Sequence, residues 1–228
     1  MRKSANNQIL ISVDTKSLDK LKTYSTFIKF DKGDFVFQAG SIKNNFYILV
    51  SGRVKLYRVS PLGKEVTQWF CFPGEAFGLS ELQANKKTIY AQCSEPSEVI
   101  SISLTYFKNF LKQHPDIAQQ IIEQLSVRLK VAGDTLLNFT SDDVKTRLIK
   151  LVDRLNMRFG IKYEKGVLID VPLTHKEIAD MIGACRQSVT TALGELKESG
   201  DIQIMGHKFF IPSLKIFEQL TDQKKHLL

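Results

Sequence analysis

Between Phe27 and Ile102 the apolar residues come in short runs. Phe35–Gln38, Phe46–Val50, Val54–Val59, Val66–Phe72, Ile89–Cys93 and Val99–Ile102 are rich in β-branched and aromatic residues, the composition of strands on a pleated, half-buried surface. Gly33, Gly40, Gly52, Gly63 and Gly74 stand between them, where tight turns call for a positive φ. Pro61-Leu62-Gly63 and Pro73-Gly74-Glu75 have turn composition as well. Many short strands at this spacing predict a small antiparallel barrel or sandwich, and periodicity leaves open which kind.

From Ser103 the period changes. Ser103 is placed to cap a short helix over Leu104–Gln113, and His114-Pro115 separates it from a longer helix over residues 116–139. In the longer helix Ala118, Ile122, Leu125, Leu129, Ala132, Leu136 and Phe139 are spaced 4, 3, 4, 3, 4 and 3, an unbroken heptad seam. A helix that packs only on its own domain usually shows a wider stripe. The seam therefore predicts pairing with a second copy of the chain, with packing inside the chain as the alternative. Next, Ser141-Asp142-Asp143 reads as an N-cap followed by two acids in a first helical turn. Val144, Leu148, Leu151, Val152 and Leu155 then recur at helical spacing, and the alternation from Gly166 through Val171 predicts a strand that Pro172 ends. The pattern is that of an α+β chain in three parts: residues 1–113, 114–140 and 141–228.

The most informative stretch runs from Thr174 to Gly200. Thr174 and Glu177 have capping-box spacing, so a helix starts there. Gly183 stops it after two turns, because glycine takes the left-handed conformation of a sharp reversal. A second helix follows to Ser199, with Gly200 as its stop. Ile178, Ala179 and Ile182 on the first helix and Val189 and Leu193 on the second form the inward positions of a helix-turn-helix. The outward positions of the second helix carry Arg186, Gln187, Ser188, Thr190 and Thr191. Arginine can donate two bonds to guanine, and glutamine can pair bidentately with adenine. An ordinary helical corner with a polar solvent face is the competing reading. Ile202–Met205 and Lys208–Ile211 flank Gly206-His207, a two-residue hairpin in the position of a wing, with Lys208 near its tip as a candidate phosphate contact. Thr174, His175 and Lys176 begin the first helix, where amides and side chains suit phosphate.

Composition narrows the class. Hydrophobic residues make up 43% of the 228 positions and charged residues 25%, values of a soluble globular chain. No apolar run is long enough to span a bilayer. Asn6, Asn7 and Gln8 occupy the place where a signal peptide needs its apolar stretch, so the expected location is the cytosol. Cys71, Cys93 and Cys185 are odd in number and far apart, which writes no disulfide framework or metal knuckle. The net charge of +8 does not locate a polyanion site. Residues 1–113 hold 16 Lys and Arg against 9 Asp and Glu, whereas residues 141–228 hold 14 against 12.

The stretches "KGDFVFQAG", "FYILVSGRVKLYRVSPLGKE" and "FPGEAFG", then "HPDIAQQIIEQLSVRLKV", "DDVKTRLIKLV" and "LTHKEIADMIGACRQSVTTALGELKESGDI" together resemble the Crp/Fnr superfamily of bacterial transcription regulators over nearly the whole chain. The resemblance implies an N-terminal cyclic-nucleotide-binding-type β-roll over 1–113, a long dimerisation helix over 114–140 and a C-terminal winged helix-turn-helix over 141–228. It also implies a homodimer on inverted-repeat double-stranded DNA, with RNA polymerase as a further partner and no membrane. In cyclic-AMP-binding members a Gly-Glu pair holds the ribose and an Arg-Ser pair the phosphate; here the positions read Gly78-Leu79-Ser80 and Lys87-Thr88. Lys87 would meet an anion as a point charge without a fork. The hydroxyl residues that touch adenine in those members are Ala132 and Gly133 here. The candidate effector pocket is thus Gly78, Leu79, Ser80, Lys87, Thr88, Arg128 and Gly133, its effector unknown and not expected to be cyclic AMP.

No cofactor or metal is expected either. No cysteine precedes Cys71, as an N-terminal iron–sulfur cluster would need, and His114, His175, His207 and His226 all lie outside the barrel. Lys86, Lys87, Arg53 and Arg128 could surround an anionic metabolite, and a roll that binds nothing is the alternative. Redox sensing at Cys71, Cys93 or Cys185, and activation versus repression, stay open. The leading reading is a dimeric, sequence-specific DNA-binding regulator. A ligand-binding regulatory module acting without DNA competes with it but leaves Arg186-Gln187-Ser188 unexplained. An enzyme is not expected, since HExxH, GxSxG and Walker-type loops are missing.

Overall fold

The computed structural model describes residues 25–42, 45–78, 86–163 and 165–217. The described residues form two compact units that divide between Leu129 and Lys130. In the first, eight strands make two four-stranded antiparallel sheets. One has the order β1 (Thr26–Phe30), β8 (Ser97–Ser103), β3 (Asn45–Ser51) and β6 (Ala76–Phe77); the other has β2 (Phe35–Phe37), β7 (Tyr90–Cys93), β4 (Val54–Val59) and β5 (Glu65–Cys71).

Strand β3 explains why the run Phe46–Leu49 is apolar at every position. Tyr47 and Leu49 enter the core between the sheets with Val36, Leu56, Ala91 and Cys93. Phe46 and Ile48 point the other way, onto Leu104, Phe107 and Phe110 of α1 (Leu104–Gln113) and Ile117 and Ile121 of α2 (Pro115–Ser141). A side-chain period of two divides one run between two cores. The five glycines read as turns all have positive φ. At Gly52 (φ +87°) a Cβ would lie 2.3 Å from Ser97 Oγ and 2.4 Å from the Pro96 carbonyl oxygen, so a larger residue does not fit.

Strand β1 was not among the strand candidates. It pairs with β8 from Thr26↔Ser101 to Phe30↔Ser97, a partnership set at the far end of the unit's sequence. Ser103 does stand at the N-cap of α1, but its hydroxyl makes no capping bond. It is still paired with Asn45 as the last residue of β8.

Helix α2 has two apolar stripes. Ile117, Ile121 and the amide of Gln124 are buried, and Gln124 Oε1 accepts the Ala76 N–H at 3.1 Å. The heptad seam is a different face: Ile122, Leu125, Leu129 and Leu136 are 62%, 41%, 77% and 69% exposed. Ala132 is exposed, Ala118 is half-buried, and the Phe139 side chain lies outside the described residues.

The second unit contains the end of α2, then α3 (Val144–Phe159), β9 (Gly160–Tyr163), β10 (Gly166–Ile169), α4 (His175–Ile182), α5 (Arg186–Glu198), β11 (Gln203–Met205) and β12 (Lys208–Ile211). Its sheet has the order β11-β12-β10-β9. Strand β9 was not anticipated; it pairs with β10 as a hairpin. The start of α3 corrects the reading of Ser141-Asp142-Asp143. Ser141 closes α2, the Asp142 N–H continues that helix by donating to the Asn138 carbonyl at 3.0 Å, and Asp143 is the N-cap. Asp143 Oδ1 accepts the Thr146 N–H at 2.7 Å, which holds its carboxyl below the ordinary carboxylate range. Among the described residues no helix is long and apolar enough to cross a membrane.

Candidate nucleic-acid interface

Helices α4 and α5 are held by local chemistry at every end. The Glu177 N–H donates to Thr174 Oγ1 at 3.2 Å, and the Thr174 N–H returns a bond to Glu177 Oε2 at 2.8 Å, the reciprocal pair of a capping box. Gly183 closes α4 in the left-handed region (φ 62°, ψ 43°), and the Ala184 N–H donates to the Ala179 carbonyl at 3.0 Å. Ile178, Ala179 and Ile182 of α4 and Val189 and Leu193 of α5 are all buried, the inward set expected from the spacing.

Cys185 caps α5. Its Sγ accepts the Ser188 N–H at 3.4 Å and lies 3.0 Å from Ser188 Oγ. These bonds from Ser188 pull the exposed Cys185 thiol below its ordinary pKa. The outward face then sorts itself. Arg186, Gln187, Thr190 and Thr191 are exposed, whereas Ser188 is half-buried against the cap. Thr190 and Thr191 donate their hydroxyl protons to the Arg186 and Gln187 carbonyls at 3.0 and 3.2 Å. Thr190 Oγ1 also lies 2.9 Å from His175 Nδ1; with the hydroxyl proton on Arg186, the ring nitrogen is the donor. This bond joins the start of α4 to α5, a link that spacing alone did not suggest.

The other positions read as DNA contacts differ in how free they are. Lys176 is exposed. Thr174 donates both its N–H and its hydroxyl to Glu177. Lys208 at the wing forms an ion pair with Asp170 at 2.5 Å.

In the first unit the candidate effector residues that are described engage several different partners. Lys87 is buried, and its ammonium donates to the carbonyls of Gly78 and Asn45 at 3.1 and 3.3 Å, 4.8 Å from the Phe37 ring centroid. Phe37, Tyr47 and Phe77 stack beside it. Thr88 is exposed and accepts from Arg58 at 3.1 Å. Arg128 faces another group: it donates to Glu75 Oε2 at 3.1 Å and lies over the Trp69 ring, whose Nε1 donates to the same carboxylate at 2.7 Å. Glu75 was read only as part of a turn, yet it is the acid that balances Arg128. Arg53, offered for an anion, is buried and paired with Glu95 at 2.6 Å. Leu79 and Ser80 lie outside the described residues, and Gly133 is exposed on the other unit. Cys71 and Cys93 are buried, and burial raises the Cys93 thiol's pKa.

Comparison with known proteins agrees with both units. A cyclic nucleotide-binding domain model matches residues 27–114, and a Crp-like helix-turn-helix domain model matches residues 146–220. The chain is 30% identical over 185 residues to the Global nitrogen regulator of Synechocystis sp., covering 80% of this chain and 82% of that one. It is 29% identical to the CRP-like cAMP-activated global transcriptional regulator of Mycobacterium tuberculosis, covering 81% and 83%. A solved structure of a CooA mutant from Carboxydothermus hydrogenoformans has the same fold, with a TM-score of 0.80 at 18% identity over 95% of this chain and 97% of that one.

Proposed function

The chain belongs to the Crp/Fnr superfamily of DNA-binding transcription regulators, and on that premise we propose that it acts in the cytoplasm as a homodimer that reads an inverted repeat. The observation that carries the reading is α5. Arg186 and Gln187 stand exposed on the first turn of a helix whose partner helix, reversal and inward face are all formed. Pairing along Ile122, Leu125, Leu129 and Leu136 would cover the exposed seam of α2. A two-fold axis there would set two copies of α5 in successive major grooves, with half-site centres about 34 Å apart. In each half-site Arg186 would fix a guanine by two bonds and Gln187 would tune a neighbouring base. Lys176 would hold phosphate through its ammonium and His175 through its backbone N–H at the helix start, with a smaller part for Thr174 and Lys208, whose donors are engaged by Glu177 and Asp170. RNA polymerase is the further partner that family membership suggests.

A small-molecule effector of the β-roll is part of the proposal; cyclic AMP is not. One relative is named as cAMP-activated. Here, however, Leu79, Ala132 and Gly133 replace the ribose and adenine partners, and the Lys87 ammonium is turned onto the Gly78 and Asn45 carbonyls.

Selection of binding sites from random duplex DNA tests the assignment of Arg186. The parent should enrich a two-fold symmetric motif. Arg186→Ala should lose about 1–3 kcal/mol on it and relax one position per half-site, whereas Lys176→Ala should weaken all sequences alike and lower the salt slope by about one. Equal enrichment of one motif by the parent and the Arg186 variant overturns the assignment.

A further inference from the structure

The reversal between α4 and α5 has a support that neither helix supplies. Ala179, inside α4, offers its carbonyl to both the Gly183 and Ala184 N–H groups. The later carbonyls, of Ile182 and Gly183, point out of the helix end, where the macrodipole is negative. Arg147, one turn into α3, reaches both of them: its Nη1 donates to the Ile182 oxygen at 2.9 Å and to the Gly183 oxygen at 3.4 Å. The backbone of Arg147 is itself anchored, with its N–H on the Asp143 carbonyl at 3.1 Å.

The same face of α3 continues as Lys150 and Arg154. Lys150 donates to Asn138 Oδ1 at 2.9 Å and to Asp142 Oδ2 at 2.5 Å, both at the end of α2. Arg154 is half-buried, and loss of solvent lowers its pKa against the opposing charges of Asp134 and Asp153. Arg147 and Arg154 share one narrow crevice with Thr135 and Asn138 of α2 and Met181 and Ile182 of α4. One stripe of cations on α3 thus grips the tail of α2 on one side and the helix reversal on the other.

From these contacts we infer that Arg147 is a positioning residue of the DNA reader. By bridging the Ile182 and Gly183 carbonyls, its guanidinium sets the angle at which α5 leaves the reversal, and with it the place where Arg186 meets a base edge. The inference rests on the proposed DNA-reading role of α5. A planar guanidinium suits the task, since its donors are fixed in direction, whereas a lysine ammonium supplies charge without that geometry. An arginine that acts through the reversal affects every base contact of α5 at once; one that touches phosphate affects all DNA alike.

The test uses the full-length chain on two duplexes, the motif that the parent enriches and a scrambled duplex of equal length. Arg147→Met should weaken the enriched duplex about tenfold or more, flatten the preference at all positions of the half-site together, and leave the scrambled duplex and the salt slope unchanged. Arg147→Lys should fall between the two. It carries the test alone if Arg147→Met is unfolded at the assay temperature by circular dichroism. An unchanged affinity for the enriched duplex overturns the inference. So does an equal loss on both duplexes, or a salt slope reduced by about one, which would make Arg147 a phosphate contact. A parent that prefers no sequence removes the DNA-reading proposal itself, and is told apart because no variant is needed to see it.

Discussion

The two units use positive charge in opposite ways. The N-terminal part carries the larger excess, 16 Lys and Arg against 9 Asp and Glu in residues 1–113, yet three of its cations are turned inward, Arg53 onto Glu95, Lys55 onto Glu65 and Lys87 onto two carbonyls, and Arg128 of α2 is likewise turned onto Glu75. The C-terminal part is nearly balanced, 14 against 12 in residues 141–228, but it leaves Lys176 and Arg186 exposed at the starts of two packed helices. Cations already bonded to carboxylates or carbonyls give a polyanion little. A reader needs a few charges placed on a rigid element, and the net charge of a segment measures something else. Helix α2 repeats the contrast with apolar residues, one stripe spent on the β-roll and the other left open.

The largest expected effect concerns that open stripe. Leu125→Asp with Leu129→Asp would place charges in the proposed dimer contact and cost several kcal/mol of association. Sedimentation should give a dimeric parent and a monomeric variant; a monomeric parent would remove the dimer from the proposal. Next comes the inward charge of the first unit. Glu75→Gln keeps an acceptor for Trp69 but leaves the half-buried Arg128 without its carboxylate. It should lower stability by about 3 kcal/mol, while specific DNA contacts of the folded protein keep their relative preferences. A melting temperature equal to the parent's would mean that Arg128 is not committed to Glu75, and the contrast between the units would weaken.

Asp143 offers a smaller and pH-dependent effect. Its carboxyl is held below the ordinary value by the Thr146 N–H, so the folded chain binds that proton less readily than the unfolded one. The stabilisation is present above the ordinary carboxylate pKa of about 3.9 and is lost as pH falls through the lower folded value. Asp143→Ala should cost about 1 kcal/mol near neutral pH, whereas Asp143→Asn keeps the cap and should cost less and remove that acid dependence. Urea unfolding of the three proteins at neutral and acid pH would reveal any other order. The smallest expected effect is none at all. Cyclic AMP at millimolar concentration should leave the melting temperature unchanged, where a ligand at ~100 times its Kd would add about 2.7 kcal/mol. A clear rise would give the β-roll a ligand that Leu79, Ala132 and Gly133 argue against.

How much of this was legible depended on the distance along the chain between cause and effect. The helix-turn-helix was readable almost residue by residue, because the box of Thr174 and Glu177, the left-handed Gly183 and the inward Ile178 and Val189 interact within one or two turns or across one short reversal. At the start of α3, by contrast, Ser141 was taken for a cap that belongs to Asp143: three cap-forming residues in a row share one signature, and Lys150, eight residues on from Asp142, draws that side chain to the end of α2. The effector pocket was legible only as a set of residue types. The structure brings Lys87 to Gly78 but sends Arg128 to Glu75 and Trp69, and Thr88 to Arg58.

The amino-acid sequence alone determined the order of the parts, the heptad seam, the turn glycines and the surface of α5, since periodicity and capping are local and each residue type carries its own conformational preference. Only the tertiary structure decided which polar groups are free. The bond from Arg128 to Glu75 spans 53 residues, that from Lys87 to the Asn45 carbonyl 42, and that from Arg147 to the Ile182 carbonyl 35. No period links such positions, and a cation that finds a partner across the fold looks the same in the sequence as one left for DNA. The outcome is set by burial, which requires each inward charge to be paired, and burial is a property of the packed chain.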